Sequence, residues 1–335
     1  MEKNYQVVFT ERNKVELQEV PMPTPSDDQI MIKALVSQIS TGTELTLLEA
    51  NVSEESSWNK NVKFPNYPGY SHIGEIVAVG KNLDPSLIGK MVLTGAPHAK
   101  YVTRGEWYEI PHGVDTDEAV FAIIGTITMA SVRIAQIRPG ETVAVFGAGL
   151  IGQILARLAK IAGALNVFVF DTSDNRLGMI PQNKCFIGAN TNDIDAAEFI
   201  KEHNGGELAD IVFETTSYGP LAQKEIECIT KNGKFIITSS PKNSSTIDFN
   251  YVSGQGITII GAHNWAAHPR VATTHNRWTR QADTRYILRL LEKGVLTDIK
   301  SLVTHRANYK DAPKLYQMLI EDRTQALGVH MYWED

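Results

Sequence analysis

A chain of 335 residues, 43% hydrophobic and 21% charged, carries ample apolar mass for two domains or one large one and is ordinary for a soluble globular protein. Its formal net charge of −6 gives no electrostatic case for nucleic acid or an anionic membrane as partner. Two cysteines, Cys185 and Cys228, stand far apart and supply neither a disulfide framework nor a thiolate zinc site.

The opening segment MEKNYQVVFT lacks the apolar core of a signal peptide and reads as a first strand. Short alternating runs follow over Tyr5–Phe9, Gln29–Val36, Gly74–Val79 and Lys90–Thr94, separated by PMPTPSDD, NYPG, KNLDPS and RGEW. They predict a mostly β region up to about residue 115. The apolar stretch Val120 to Val132 is broken by Gly125, Thr126, Thr128 and Ser131 and is too short to span a bilayer, so a cytoplasmic protein is expected. From 120 to 262, TVAVF, NVFVF, ADIVF, KFIIT and ITIIG read as strands with helical patterns between several of them, which implies βαβ crossovers and a parallel sheet. A basic, histidine-containing loop comes next. It leads to a helix near Arg280–Lys293, the strand SLVTH, a helix over Tyr309–Glu321 and the strand ALGVHMYW.

The sharpest chemical signal is TVAVFGAGLIGQILARLAKIAGALNVFVFD, residues 142–171. A buried strand runs into Gly147-Ala148-Gly149-Leu150-Ile151-Gly152 and then a helix, on which Ile151, Ile154, Leu155, Leu158 and Ala159 share one face. Gly147 allows the tight turn, Gly149 lets backbone approach a pyrophosphate, and Gly152 permits close helix–strand packing. The phosphates then rest on the helix N-terminus. The second strand ends at Asp171, where a carboxylate accepts hydrogen bonds from a ribose diol and repels a 2′-phosphate, so NAD(H) is expected over NADP(H). Arg176 either softens that preference or is a solvated residue of a helix start. Thr215, just past ADIVF, joins the cofactor-binding set.

Over essentially its whole length the chain resembles the medium-chain dehydrogenase/reductase superfamily. LQEVPMPTPSDDQIMIKAL resembles its opening strands, ISTGTEL its first catalytic loop, PGYSHIGEIVAVG its Gly-His-Glu turn, IRPGETVAVFGAGLIG its fingerprint, and LVTHRANYKDAPKLYQML its closing return. The resemblance implies an α/β fold: a Rossmann doubly wound parallel sheet at 123–262, and a GroES-like mostly-β catalytic domain at 1–122 and 263–335. It also implies an active site in the cleft and a homo-oligomer, dimer or tetramer. The family reaction is hydride transfer between a nicotinamide and an alcohol or carbonyl.

Most alcohol-oxidising relatives hold a catalytic zinc on a cysteine, a histidine and a further cysteine or glutamate. Carried over residue by residue, the cysteine falls on Thr41, the histidine and glutamate of Gly-His-Glu on Tyr70 and Ser71, and the third ligand near Ala122–Ile123. The four-cysteine structural lobe is missing as well, since GKMVLTG runs almost directly into APHAKYV. An open catalytic zinc needs three such side chains, so no metal is expected. His72 lies two residues past the ligand position, about 6–7 Å along a strand, and reads as a group near the cleft wall, in reach of substrate, not as a ligand.

Without zinc, hydrogen-bond donors must stabilise the alkoxide. Thr43 matches the family's hydroxyl relay. Tyr70 either moves a proton or fills the hole left by the metal. Glu44 is a base or an ion-pair partner, and Thr126 matches a threonine that touches the nicotinamide. His263, Asn264 and Trp265, in a loop that also holds His268, Arg270, His275, Asn276 and Arg277, suit a polyhydroxy, phosphorylated or carboxylated substrate, or else a solvated or dimer-forming surface. Within the superfamily, STGTE with PGY resembles the bacteriochlorophyllide dehydrogenase-like branch and cyclitol- and sugar-pathway oxidoreductases. The expected activity is zinc-independent, NAD(H)-dependent interconversion of a secondary alcohol and a ketone. The alternatives are a quinone- or enone-reductase-like enzyme and a catalytically silent nucleotide-binding homologue.

Overall fold

The computed structural model describes residues 2–53, 56–242 and 244–334, the side chains of Ser57 and Trp265 excepted. Their contacts gather into two units, one formed by Met1–Ile123, Leu288–Gly294 and Ile299–Asp335, the other by Ile124–Ile287 and Val295–Asp298. None of the described helices is long and apolar enough to cross a membrane.

In the first unit, alternation along Ile30–Ile39 buries Ile30, Ile32, Ala34 and Val36 on one face, and beyond Val36 both faces are covered. This strand is central to a sheet ordered Val303–Asn308, Gly328–Tyr332, Ile30–Ile39, His72–Val79, Met91–Thr94 and Tyr108–Glu109, with Tyr101–Arg104 also pairing to it. A separate hairpin joins Asn4–Glu11 to Lys14–Val20 through Asn13, whose φ of 58° suits an asparagine turn. The core under these strands draws on both ends of the chain. Phe9 meets Tyr316 edge-on at 5.1 Å between ring centres, and Tyr309 stacks on Trp333 at 5.0 Å. The segment ISTGTEL, expected as a loop, enters a helix over Thr41–Glu49, because its strong helix formers continue directly from an extended Ser40.

His72 opens the strand His72–Val79, paired with Ser37 on one side and Thr94 on the other. It is fully buried, its Nε2–H donates to the Ala99 carbonyl at 3.1 Å, and Nδ1 has no partner. Burial pushes its pKa down to about 4. The expected substrate contact is therefore corrected: strand pairing turns this imidazole into the core.

The second unit is a parallel sheet ordered Phe186–Asn190, Asn166–Asp171, Thr142–Phe146, Ala209–Glu214, Ile229–Ile237 and Thr258–Gly261. In chain order this is the 3-2-1-4-5-6 arrangement of a dinucleotide-binding sheet, with its switch point beside Thr142–Phe146. Phe186–Asn190 is a strand that the sequence pattern does not announce. It is an edge strand, only partly buried, and carries Gly188 and Asn190. The expected boundary after Ala262 also moves, since residues 263–287 stay with the second unit. The cause is Asp283, fully buried on the helix Arg280–Glu292. Arg133 Nε approaches its two oxygens at 2.8 and 3.0 Å, Arg133 Nη2 donates at 2.6 Å, and His268 Nε2 lies at 3.0 Å. Trp278 covers the Arg133 guanidinium at 3.4 Å from the ring centre.

Two outcomes test this arrangement. Asp283→Ala leaves Arg133 and His268 without their shared anion and should cost about 3 kcal/mol in urea unfolding followed by circular dichroism. For His72 the folded ring stays neutral until about pH 4, whereas an unfolded histidine takes its proton near 6.5. Its contribution is therefore complete above about pH 6.5 and is lost as pH falls towards 4, by about 3 kcal/mol. His72→Gln keeps an amide donor for Ala99 without titrating, so unfolding curves at pH 7 and pH 4 should show that much less acid sensitivity in the variant.

Candidate active site

In the second unit the glycine turn is shaped by close approach. Gly147 has φ +101°, and a Cβ on Gly152 would lie 1.7 Å from the Gly147 carbonyl oxygen, so no side chain fits there. The Thr215 hydroxyl reaches the carbonyls of Phe146 and Gly147 at 2.7 and 3.0 Å and pins the turn from below. At Gly149 a Cβ would meet nothing within 4 Å, which leaves the outer side of the turn open. Gly149 is also the N-cap of the helix Leu150–Ala162, and no side chain caps it. The first N–H groups, on Leu150, Ile151 and Gly152, thus form an anion-binding end. Asp171 accepts from Ala148 N–H at 2.7 Å through Oδ2 and from Ser173 N–H at 2.9 Å through Oδ1, with Arg176 Nη1 3.9 Å from Oδ2. Gly147, Gly149, Leu150, Ile151, Gly152, Asp171, Arg176 and Thr215 come together at one end of the sheet. Thr126 does not present itself in the same way: it is 1% exposed within the helix Ala122–Ala135, so its hydroxyl is covered. These residues suit a dinucleotide: backbone N–H groups for the pyrophosphate and a carboxylate for the ribose.

In the first unit, Tyr70 donates to Ser40 Oγ at 2.6 Å, and the Thr43 hydroxyl is its second hydrogen-bonding neighbour. Burial of the phenol raises its pKa above the ordinary tyrosine range, so at neutral pH Tyr70 holds its proton. A zinc does not fit this donor set. Thr41, Tyr70 and Ser71 offer only hydroxyls, and Ser71 spends its own on the Val120 carbonyl. Among the described residues no three His, Cys, Asp or Glu side chains gather to hold a metal.

Glu44, expected as a catalytic candidate, is corrected to an anchor. It is 1% exposed, and both oxygens are engaged. Oε1 accepts the Ser40 N–H at 2.8 Å, while Oε2 accepts the Tyr316 phenol and lies 3.1 Å from His98 Nε2. His98 Nδ1 pairs with Ser37 Oγ at 2.8 Å, which accepts the Trp333 indole N–H at 3.0 Å. Sequence reasoning missed His98. It also carries the turn before Tyr70: Gly69 has φ +103°, and a Cβ there would lie 2.6 Å from the His98 nitrogen and 2.9 Å from its ring. The one available signal was a histidine inside APHAKYV, the stretch that stands where the structural zinc lobe is lacking.

In the loop after Ala262, His263 is exposed, Asn264 is partly buried with an unpartnered Oδ1, and the side chain of Trp265 lies outside the described residues. His268 has both nitrogens occupied, by Asn264 O at 3.0 Å and by Asp283, which makes it a brace for the loop.

Residues 151–276 match the model of the zinc-binding dehydrogenase family. An L-threonine 3-dehydrogenase from Bacillus velezensis is 24% identical, with 90% of this chain and 91% of the relative covered. An alcohol dehydrogenase from Escherichia coli CFT073, complexed with NADH, superposes with a TM-score of 0.82 at 16% identity, over 99% of each chain. A zinc-binding dehydrogenase from Sinorhizobium meliloti 1021, bound to NADP, gives 0.80 at 16% identity, over 99% of this chain and 100% of that one. Together with the strand order and the glycine turn, these likenesses make the chain similar to the zinc-binding dehydrogenases over residues 151–276 and give it the fold of the dehydrogenase structures just named.

Proposed function

We propose that the chain is an NAD(H)-dependent oxidoreductase that interconverts a secondary alcohol and its ketone without a catalytic zinc, on a sugar, cyclitol or other polyhydroxy metabolite. One observation carries the reading: Ser40, Thr43 and Tyr70 form a hydrogen-bonded hydroxyl cluster where the family's ligand positions hold no metal-binding set. The dinucleotide supplies hydride acceptance or donation when bound. Asp171, with acceptor capacity left on both oxygens, holds the ribose diol and disfavours a 2′-phosphate. Tyr70 does the proton work. Its raised pKa makes it a donor at neutral pH, so in ketone reduction the substrate oxygen takes the phenolic proton as the carbon takes the hydride. Ser40, which accepts from Tyr70, lies on the path that restores that proton, and Thr43 orients the substrate oxygen. In alcohol oxidation the same phenol must first lose its proton, so that direction speeds up as pH rises.

Fluorescence titration should give NADH a tighter Kd than NADPH by about tenfold or more, consistent with one uncompensated charge repulsion. Equal or tighter NADPH binding sinks the assignment to Asp171. A screen of polyols, cyclitols and their ketones, followed by absorbance of NADH, should yield a substrate whose turnover survives chelator and whose enzyme holds far less than stoichiometric zinc. On that substrate Tyr70→Phe and Thr43→Val should each lower kcat by about 100-fold, and Tyr70→Phe should flatten the alkaline rise in oxidation rate. Unchanged rates in both variants, or a tightly held zinc needed for turnover, would refute this mechanism.

A further inference from the structure

The helix that follows the glycine turn buries two residues that a sheet-packing helix has no apolar reason to bury. Gln153 is fully buried and Arg157, one turn later, is 5% exposed. Gln153 Nε2 donates to the Arg176 carbonyl at 2.8 Å and to the Ala148 carbonyl at 3.3 Å. Its Oε1 accepts from Arg157 Nη1 at 2.9 Å, and Arg157 Nη2 is anchored on the carbonyls of Met179 and Asp298 at 3.1 and 3.4 Å. The backbone of Ala148 is thus held at both ends, its N–H by Asp171 at 2.7 Å and its C=O by Gln153 at 3.3 Å. Arg176 closes the circuit, because its carbonyl takes Gln153 and its guanidinium lies 3.9 Å from Asp171.

We infer that Gln153, held in place by Arg157, is a positioning residue that fuses the pyrophosphate turn and the ribose-reading carboxylate into one preorganised unit and so sets affinity and selectivity for the adenosine diphosphate half of the cofactor. The inference rests on the cofactor assignment made above. Its physical content is preorganisation. A carboxylate tied to the turn that cradles the phosphates needs no reordering when the ligand arrives. A donor removed from two buried carbonyls leaves both the turn and the Arg176 segment free to shift.

The test is binding to the full-length protein, by calorimetry with NADH, NADPH, ADP-ribose and reduced nicotinamide mononucleotide. Gln153→Met fills the same space without a donor. Gln153→Glu keeps an acceptor for Arg157 but sets an oxygen against the two carbonyls. Both should weaken NADH and ADP-ribose by about tenfold, the size of one net hydrogen bond. NADPH should weaken less, so the NADH preference shrinks, and the mononucleotide, which lacks the adenosine half, should keep its affinity. A variant that only loosens the fold would lower its unfolding midpoint and weaken all four ligands alike, which overturns the inference, as do unchanged affinities. In the unmodified, unliganded protein the Ala148 amide should exchange slowly with deuterium, and fast exchange there overturns the circuit whatever the variants do. Failure of the unmodified protein to bind NADH, NADPH or ADP-ribose at all would instead sink the cofactor assignment itself.

Discussion

A buried carboxylate, that of Glu44, holds the first unit together. Removing an anion from water is costly unless donors replace the water, and here three come from separate places: the Ser40 backbone, the Tyr316 phenol and the His98 ring. Ser40 fixes the start of the helix that carries Thr43. Tyr316 ties in the helix Ala312–Glu321, and His98 supports both Ser37 and the turn at Gly69. The hydroxyl cluster at Tyr70 therefore sits beside a carboxylate whose own hydrogen bonds are satisfied, the preorganisation that the proposed proton transfer requires.

The second unit solves the same problem twice. Asp283 is the shared anion for Arg133 and His268, and it draws the 263–287 segment onto the sheet-bearing unit. Gln153 and Arg157 do for the glycine turn what neutral and cationic donors can do without an anion of their own: they satisfy carbonyls left over where one segment ends and another begins. In both units, rigidity near the chemistry comes from polar side chains that the apolar pattern does not call for.

That explains what was legible in the sequence. The dinucleotide cradle could be read because its parts are local: a buried strand, three glycines at fixed spacing, a one-faced helix and Asp171 all lie between residues 142 and 171. The hydroxyl cluster could be located through colinear motifs, with Thr43 in the first turn of the helix Thr41–Glu49 and Tyr70 directly after the Gly69 turn. Glu44, His72 and His98 could not be read, since partners that define their environments lie 27, 61 and 272 residues away in sequence and no periodicity encodes those pairings. The unit boundary was misplaced for the same reason. A change of composition at 263 marks a loop, whereas membership of a unit is decided by Asp283, whose partner Arg133 lies 150 residues earlier. The strand Phe186–Asn190 escaped because it is an edge strand, mostly only partly buried, and its FIGAN sequence lacks a sustained apolar pattern.

The contact between Trp333 and Ser37 has a consequence for how the protein is made. Trp333 is 1% exposed, stacks on Tyr309 and donates to Ser37, so the core that begins with residues 7 to 39 is finished only by residues 309 to 333. During synthesis the opening strands leave the ribosome first, and the part of their core that residues 309 to 333 supply is added only after the second unit has emerged. The dinucleotide unit, whose sheet is continuous from 142 to 261, can close while that face waits. A chain that stopped short of Trp333 would therefore leave that face open, whatever else had folded.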